Sequence, residues 1–201
     1  KIGTQTWLVE NLKTTKYNDG TSIPLVTDNT EWKNLTTPGY CWYGNDAANN
    51  KDAYGALYNW YTVEKGKLCP KGWHIPDDSE WTIMEDYLIA NGFNYDGSTS
   101  ENLIAKSLAT AYNWEASSFP GVVGNTDFPL KINSTGFSAL PAGNRMSTGL
   151  FEYYGGAGVW WSATEADLLV AWSHYIISTS RSMTRTYLSK NGGLSVRCVM
   201  D

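Results

Sequence analysis

Long apolar runs are missing from this sequence. Its hydrophobic stretches last only a few residues, far short of the roughly 20 that a membrane-crossing helix needs. Charge is also scarce, at 17% of residues with a net value of -5, and the basic residues never cluster. Nucleic acid is therefore not an expected partner, because phosphate neutralisation requires grouped Lys and Arg. Histidine is limited to His74 and His174, with no H-E-x-x-H pair for zinc, and each imidazole is expected to be structural. No G-x-S-x-G elbow presents a serine nucleophile, so Ser138 and Ser162 are expected to satisfy neighbouring backbone groups. No linker interrupts the 201 residues, and a single domain over 1–201 is expected.

Cysteine is sparse as well. Cys41, Cys69 and Cys198 allow at most one internal disulfide and form no C-x-x-C pair. A Cys69–Cys198 bridge would close a long loop and stabilise by about 4 kcal/mol in the chain-entropy model. Three buried apolar thiols fit the spacing equally well. The chain opens at Lys1 on strand-like sequence without an export signal, which fits either a trimmed exported protein or a cytosolic one.

What the sequence has in abundance turns that choice toward export. Ten Trp, thirteen Tyr and many Asn, Thr and Gly suit contacts that do not rely on charge, as in exported carbohydrate-handling or adhesive proteins. Thr4–Leu12 reads as a half-buried strand with Trp7 and Val9 on one side, and Tyr40–Tyr43 as a buried one. Asn45–Asp52 is polar and reads as a surface loop, followed by a short helix over Tyr54–Val63 that ends at Gly66. Asp77 and Glu80 form a capping box for a helix reaching Ala90, with Trp81, Met84 and Leu88 inward and Asn91-Gly92 as its stop. Ser98 and Glu101 predict a second helix to about Thr110.

From Gly136 the period becomes two. Strands are predicted at Phe137–Leu140, Val159–Ala163, Val170–Ile177, Met183–Leu188 and Leu194–Met200. Alternation in the last puts Leu194, Val196, Cys198 and Met200 on a core face, with Ser195, Arg197 and Val199 on the other. The expected class is α+β, two helices beside a twisted antiparallel sheet, with first and last strands paired. Trp7, Trp73, Trp81, Trp160 and Trp161 are assigned to the core.

Six ordered blocks carry a family resemblance. Gly3–Leu12, Tyr54–Trp60, Cys69–Pro76 with Glu80-Trp81, Gly136–Arg145, Trp160–Glu165 and Gly193–Val199 together resemble the Fibrobacter succinogenes major paralogous domain. That family is similar to the formylglycine-generating, sulfatase-modifying branch of the C-type lectin fold. The resemblance implies a C-type-lectin-like architecture with long irregular loops. It also implies an exported protein or lipoprotein of a Bacteroidetes-type bacterium. It favours Cys69 and Cys198 as disulfide partners, with Cys41 a competitor. It does not carry catalysis over, since the oxidase relatives need a reactive cysteine pair near the C-terminal end, where this chain offers only Cys198.

The remaining candidates concern ligands. Calcium takes oxygen donors from irregular loops, and Asp46, Asn49, Asn50 and Asp52 form one such stretch; Asn94, Asp96, Ser98 and Glu101 form another. Ordinary turn and capping roles are expected of both, so no cofactor is expected and calcium stands as the alternative. Glycoside hydrolysis would need two carboxylates about 5 to 10 Å apart. Glu152, Glu165 and Asp167 flank the aromatic strand and are expected to border exposed turns instead. Between Arg145 and Gly158 lies a glycine-punctuated loop bearing Met146, Leu150, Phe151, Tyr153 and Tyr154. Tyr offers large contact area at low entropy cost, so a non-enzymatic module binding a glycan or protein ligand on a cell surface is expected. Arg145, Tyr153, Tyr154, Glu165, Asp167 and Arg181 are the expected ligand contacts. The alternatives are a carbohydrate-active enzyme, a structural piece of a surface assembly, or aromatics that simply cover the core.

Overall fold

Alternation along one strand, Ala157–Glu165, organises the interior, because both of its faces are buried at its centre. A computed structural model describes residues 1–201. Trp160 and Trp161 point to opposite sides and are both fully buried, each in a different apolar cluster. Their indole N–H groups are satisfied by the Asn11 side chain at 2.9 Å and the Tyr58 carbonyl at 2.8 Å, the usual arrangement for a buried tryptophan. The strand therefore acts as a wall between two cores. One holds Tyr58, Cys69 and Cys198; the other holds Trp7, Trp81 and Phe137.

In chain order the elements are α1 (Asn29–Lys33), β1 (Tyr40–Cys41), α2 (Ala47–Tyr54), β2 (Leu57–Tyr58), α3 (Trp60–Val63), β3 (Trp73–His74), α4 (Asp78–Ala90), α5 (Ala105–Leu108), β4 (Asn144–Arg145), β5 (Phe151–Glu152), β6 (Ala157–Glu165), β7 (Val170–Ile177), β8 (Thr184–Ser189) and β9 (Val199–Met200). Strands β6, β7 and β8 form an antiparallel sheet, while β1–β2, β3–β9 and β4–β5 are two-stranded antiparallel pairs. The class is α+β, with small antiparallel sheets and few helices. Trp7 bridges Val199, and the Met200 amide donates to the Thr6 carbonyl at 2.9 Å. The two ends of the chain meet there.

Helix α4 has the capping box that its sequence predicts. The Asp77 side chain accepts from the Glu80 amide at 2.9 Å, and the Glu80 carboxylate accepts from the Asp77 amide at 3.0 Å. Trp81, Met84 and Leu88 are completely buried. Both histidines fasten this helix. His174 is buried, stacks on Trp81 at 4.9 Å, and contacts Glu85 at 3.0 Å and Asp78 at 3.2 Å. The Arg185 Nε, on the neighbouring strand, donates to both Asp78 carboxylate oxygens at 2.8 Å. His74 bridges Glu80 and Asp201 at 2.8 and 2.7 Å.

For His74, partial burial alone would lower the pKa, but hydrogen bonds and charge from Asp201 and Glu80 outweigh it and raise the value above 6.5. A raised folded pKa gives stability that is fully present below the unfolded value of about 6.5 and lost as pH climbs through the folded one. His74→Gln should therefore flatten the fall in melting temperature as pH rises above about 6.5. An unchanged slope would exclude this bridge as its source. The effect should stay under about 1 kcal/mol, since the imidazole is partly exposed and screened.

Several expectations change. Asn45–Asp52 is mostly helix, not loop: Asp46 accepts from the Asn49 amide at 3.1 Å and caps α2, a helix with almost no apolar stripe to announce it. The predicted helix over Tyr54–Val63 is broken at Gly55, whose φ is +77° and where a Cβ would lie 2.7 Å from the Leu12 carbonyl. Strand β2 follows, and Asn59 restarts a short helix by accepting from the Thr62 amide. The predicted helix from Ser98 shrinks to α5, because the Ser98 amide turns onto Asp96 and the Asn94 side chain holds the Glu101 carbonyl. Phe137–Leu140 is a single bridge, Ala109 to Ala139, beside Ser138 at φ +58°.

Leu194–Met200 pairs as isolated bridges and the short β9; Leu194–Val199 is buried on both faces, Ser195 and Arg197 included, while Met200, expected on the core face, is exposed. Val9 is exposed although Trp7 is buried, and Trp73 is only half-buried against the core. Cys69 and Cys198 are bonded, as the resemblance implies, while Cys41 is a buried free thiol.

Candidate functional site

Register determines which side chains share a face of the three-stranded sheet. Ala157, Val159 and Trp161 lie opposite Ile177, Tyr175 and Ser173, and Leu188 and Thr186 follow on β8. One end of this face is sealed by the core around Tyr58 and Cys198. The other end is open. There Ala157, Val159, Tyr175, Ile177, Thr186 and Leu188 form the floor of a cleft of about 410 Å³, and Asn144, Met146 and Tyr153 complete its walls. Its lining is mostly apolar, with Asn144 and Thr186 supplying amide and hydroxyl groups. A concave apolar surface with a few convergent polar groups is the usual form of a binding site.

The wall at Tyr153 is held by backbone geometry. The Tyr153 carbonyl accepts from the Gly156 and Ala157 amides, both at 2.9 Å, which closes a turn after β5. The Gly155 amide donates to Pro141, and the Gly155 carbonyl accepts from Glu115. Tyr153 itself sits at φ +62° with 59% of its surface exposed. A left-handed tyrosine costs about 1 kcal/mol or more and persists only where the surroundings fix it, a pattern typical of ligand sites.

The other expected contacts do not join it. Tyr154 leans away onto Tyr43 and Tyr54, with ring centroids at 4.9 and 5.2 Å. Arg145 is a correction: it is fully buried and serves the fold. Its guanidinium donates to Val26, Thr27 and Gly149 carbonyls and the Asn29 side chain at 2.7–3.0 Å, between Trp32 at 4.4 Å and Phe151 at 4.8 Å. Four of its five N–H donors are committed to these acceptors, and the side chain has no exposed surface to offer a ligand.

Glu165 ends β6, roughly 26 Å from the strand's start by strand rise, and Asp167 lies just past it. Glu165 pairs with Lys190, and Asp167 accepts from the Leu169 and Val170 amides in a turn. Arg181 donates to the Pro120 carbonyl and lies over Tyr95, outside the cleft. Glu152, Glu165 and Asp167 do not line the cleft. In the two candidate calcium stretches, the oxygens of Asp46, Asp96 and Asn94 accept local hydrogen bonds.

Sequence reasoning missed the floor. Its signal lay in β7, Val-Ala-Trp-Ser-His-Tyr-Ile-Ile, where apolar residues occupy both parities and so need cover on both faces. The Fibrobacter succinogenes major domain family model matches residues 1–200 of this chain. Neither the curated proteins nor the solved structures give a match.

Proposed function

The chain belongs to this Fibrobacter succinogenes major domain family, and we propose that it is an extracytoplasmic, non-enzymatic module that binds an extended segment of a cell-surface protein, seating an apolar side chain beneath Tyr153. The observation that carries this reading is the strained, exposed Tyr153 at the mouth of an apolar cleft. Two features favour a peptide over a hydroxyl-rich ligand. The lining offers few polar partners, and the cleft runs up to β8, the edge strand of its sheet. An added strand on β8 would gain main-chain hydrogen bonds and direct alternate side chains into the cleft.

The finer architecture proposed is C-type-lectin-like, supported by the meeting of the two chain ends and by a site built beside an irregular turn. A disulfide is at home in an oxidising compartment, which supports export, and no helix is long and apolar enough to cross a membrane.

A phage-displayed peptide library selected on the protein tests the proposal. Selected peptides should share an aromatic or aliphatic residue, and Tyr153→Ala or Ile177→Arg should weaken them at least about tenfold. Equal binding to wild type and both variants would refute the cleft. An array in which glycans but no peptides bind through Tyr153 would refute the ligand class.

A further inference from the structure

Behind Tyr154 lies a second cavity of different character, about 340 Å³ in volume. Tyr154 packs on Tyr54, whose neighbours Ala53 and Gly55 line it, and Gly155 stands against Asn113, which also lines it. The polar groups around it are Glu10, Asn11, Lys13, Asp52, Asn113 and Ser138, and the exposed ring of Tyr112 stands at its edge. These come from separate stretches of sequence, so no local motif announces them.

The backbone around this cavity is set for shape. Asn113 and Ser138 are both left-handed, at φ +71° and +58°. Ser138 is locked by Asn133, which accepts from its amide at 2.8 Å and donates to its hydroxyl at 2.9 Å. Two non-glycine residues in this conformation on one cavity mark a surface held in a fixed form at an energetic cost.

Charge narrows the ligand class. Arg197 is fully buried directly behind the wall, donating to the Leu8 and Phe137 carbonyls and to Asn11, which itself lines the cavity. No carboxylate pairs with it, and its Nε has no partner. A cation behind the wall favours electron-rich oxygen, while Glu10 and Asp52 at the cavity oppose a net anion. Carboxylates that accept, amide and ammonium groups that donate, a hydroxyl that does either, and one aromatic face together match a ring bearing neutral hydroxyl groups.

We infer that this cavity binds a neutral saccharide, with one ring face on Tyr112 and its hydroxyls shared among Glu10, Asp52, Lys13, Asn113 and Ser138. The inference is independent of the peptide cleft. It is tested by NMR titration of the protein with methyl glycosides of the common hexoses and N-acetylhexosamines, each to about 10 mM, a range that detects millimolar affinity. At least one should shift the amide signals of Asn113 and Ser138. Tyr112→Ala and Asp52→Asn, both at exposed positions, should weaken that binding about tenfold, and Leu168→Ala at the remote turn after β6 should leave it unchanged. The inference fails if no glycoside produces these shifts, or if they persist undiminished in both cavity variants. It fails equally if the shifts centre on Tyr153, which would put the sugar in the other cleft.

Discussion

Replacing both Cys69 and Cys198 by alanine is expected to lower unfolding stability by about 4 to 5 kcal/mol, because the bond joins residues 129 apart and its loss frees a very long loop in the unfolded chain. Typical domains have only about 5 to 15 kcal/mol in total, so the variant should be close to its unfolding threshold at body temperature. The bond also fixes the segment after α3 to the residue just ahead of β9, within the core that contains Trp161. Urea unfolding of the oxidised protein, the reduced protein and the double variant measures the effect.

Cys41 provides the internal control. Burial pushes its thiol up to about 12, despite the nearby Arg145, so it remains protonated and inert in the folded state. Cys41→Ala should cost about 1 kcal/mol through lost packing. Coincident unfolding curves for oxidised and reduced protein would show that the bond contributes nothing.

Arg145→Ala is expected to cost at least about 3 kcal/mol, since it strips a buried cation from four acceptors and leaves those acceptors dry. Arg145→Lys should rescue little. One ammonium cannot reach four acceptors around a planar fork, nor stack between Trp32 and Phe151 as a guanidinium does. The Val26–Asn29 segment is tied to β4 by this side chain, so near-ultraviolet dichroism of Trp32 should fade along with stability. A variant of wild-type stability that lost only ligand binding would return Arg145 to the role its sequence position suggested.

Arg145 also illustrates where sequence reasoning stops. An arginine at the start of an aromatic loop looks the same whether it reaches outward or threads inward, and only the fold brings Val26, Thr27 and Asn29 around it. Features written in consecutive residues were legible: the Asp77–Glu80 box, the inner stripe of α4 and the full extent of β7. Features that depend on distant backbone were not. Gly55 breaks a helical pattern because Leu12 passes close by, and nothing between Tyr54 and Val63 records that. The cleft is hidden in the same way, since its floor takes alternate residues from three strands that local pattern can place but cannot align. Tyr153, which lines the cleft, stands out in the sequence because a tyrosine beside glycines is a local signal.

The seam between Thr6 and Met200 has a mechanical consequence. Tension on the two ends would part it first, yet the covalent link at Cys198 sits two residues inside and carries the load from there to Cys69. Only the stretch ahead of Cys69 can then be drawn out. Every residue lining the Tyr153 cleft lies within the bypassed loop, so a grip made there would be insulated from the pull on its own tether.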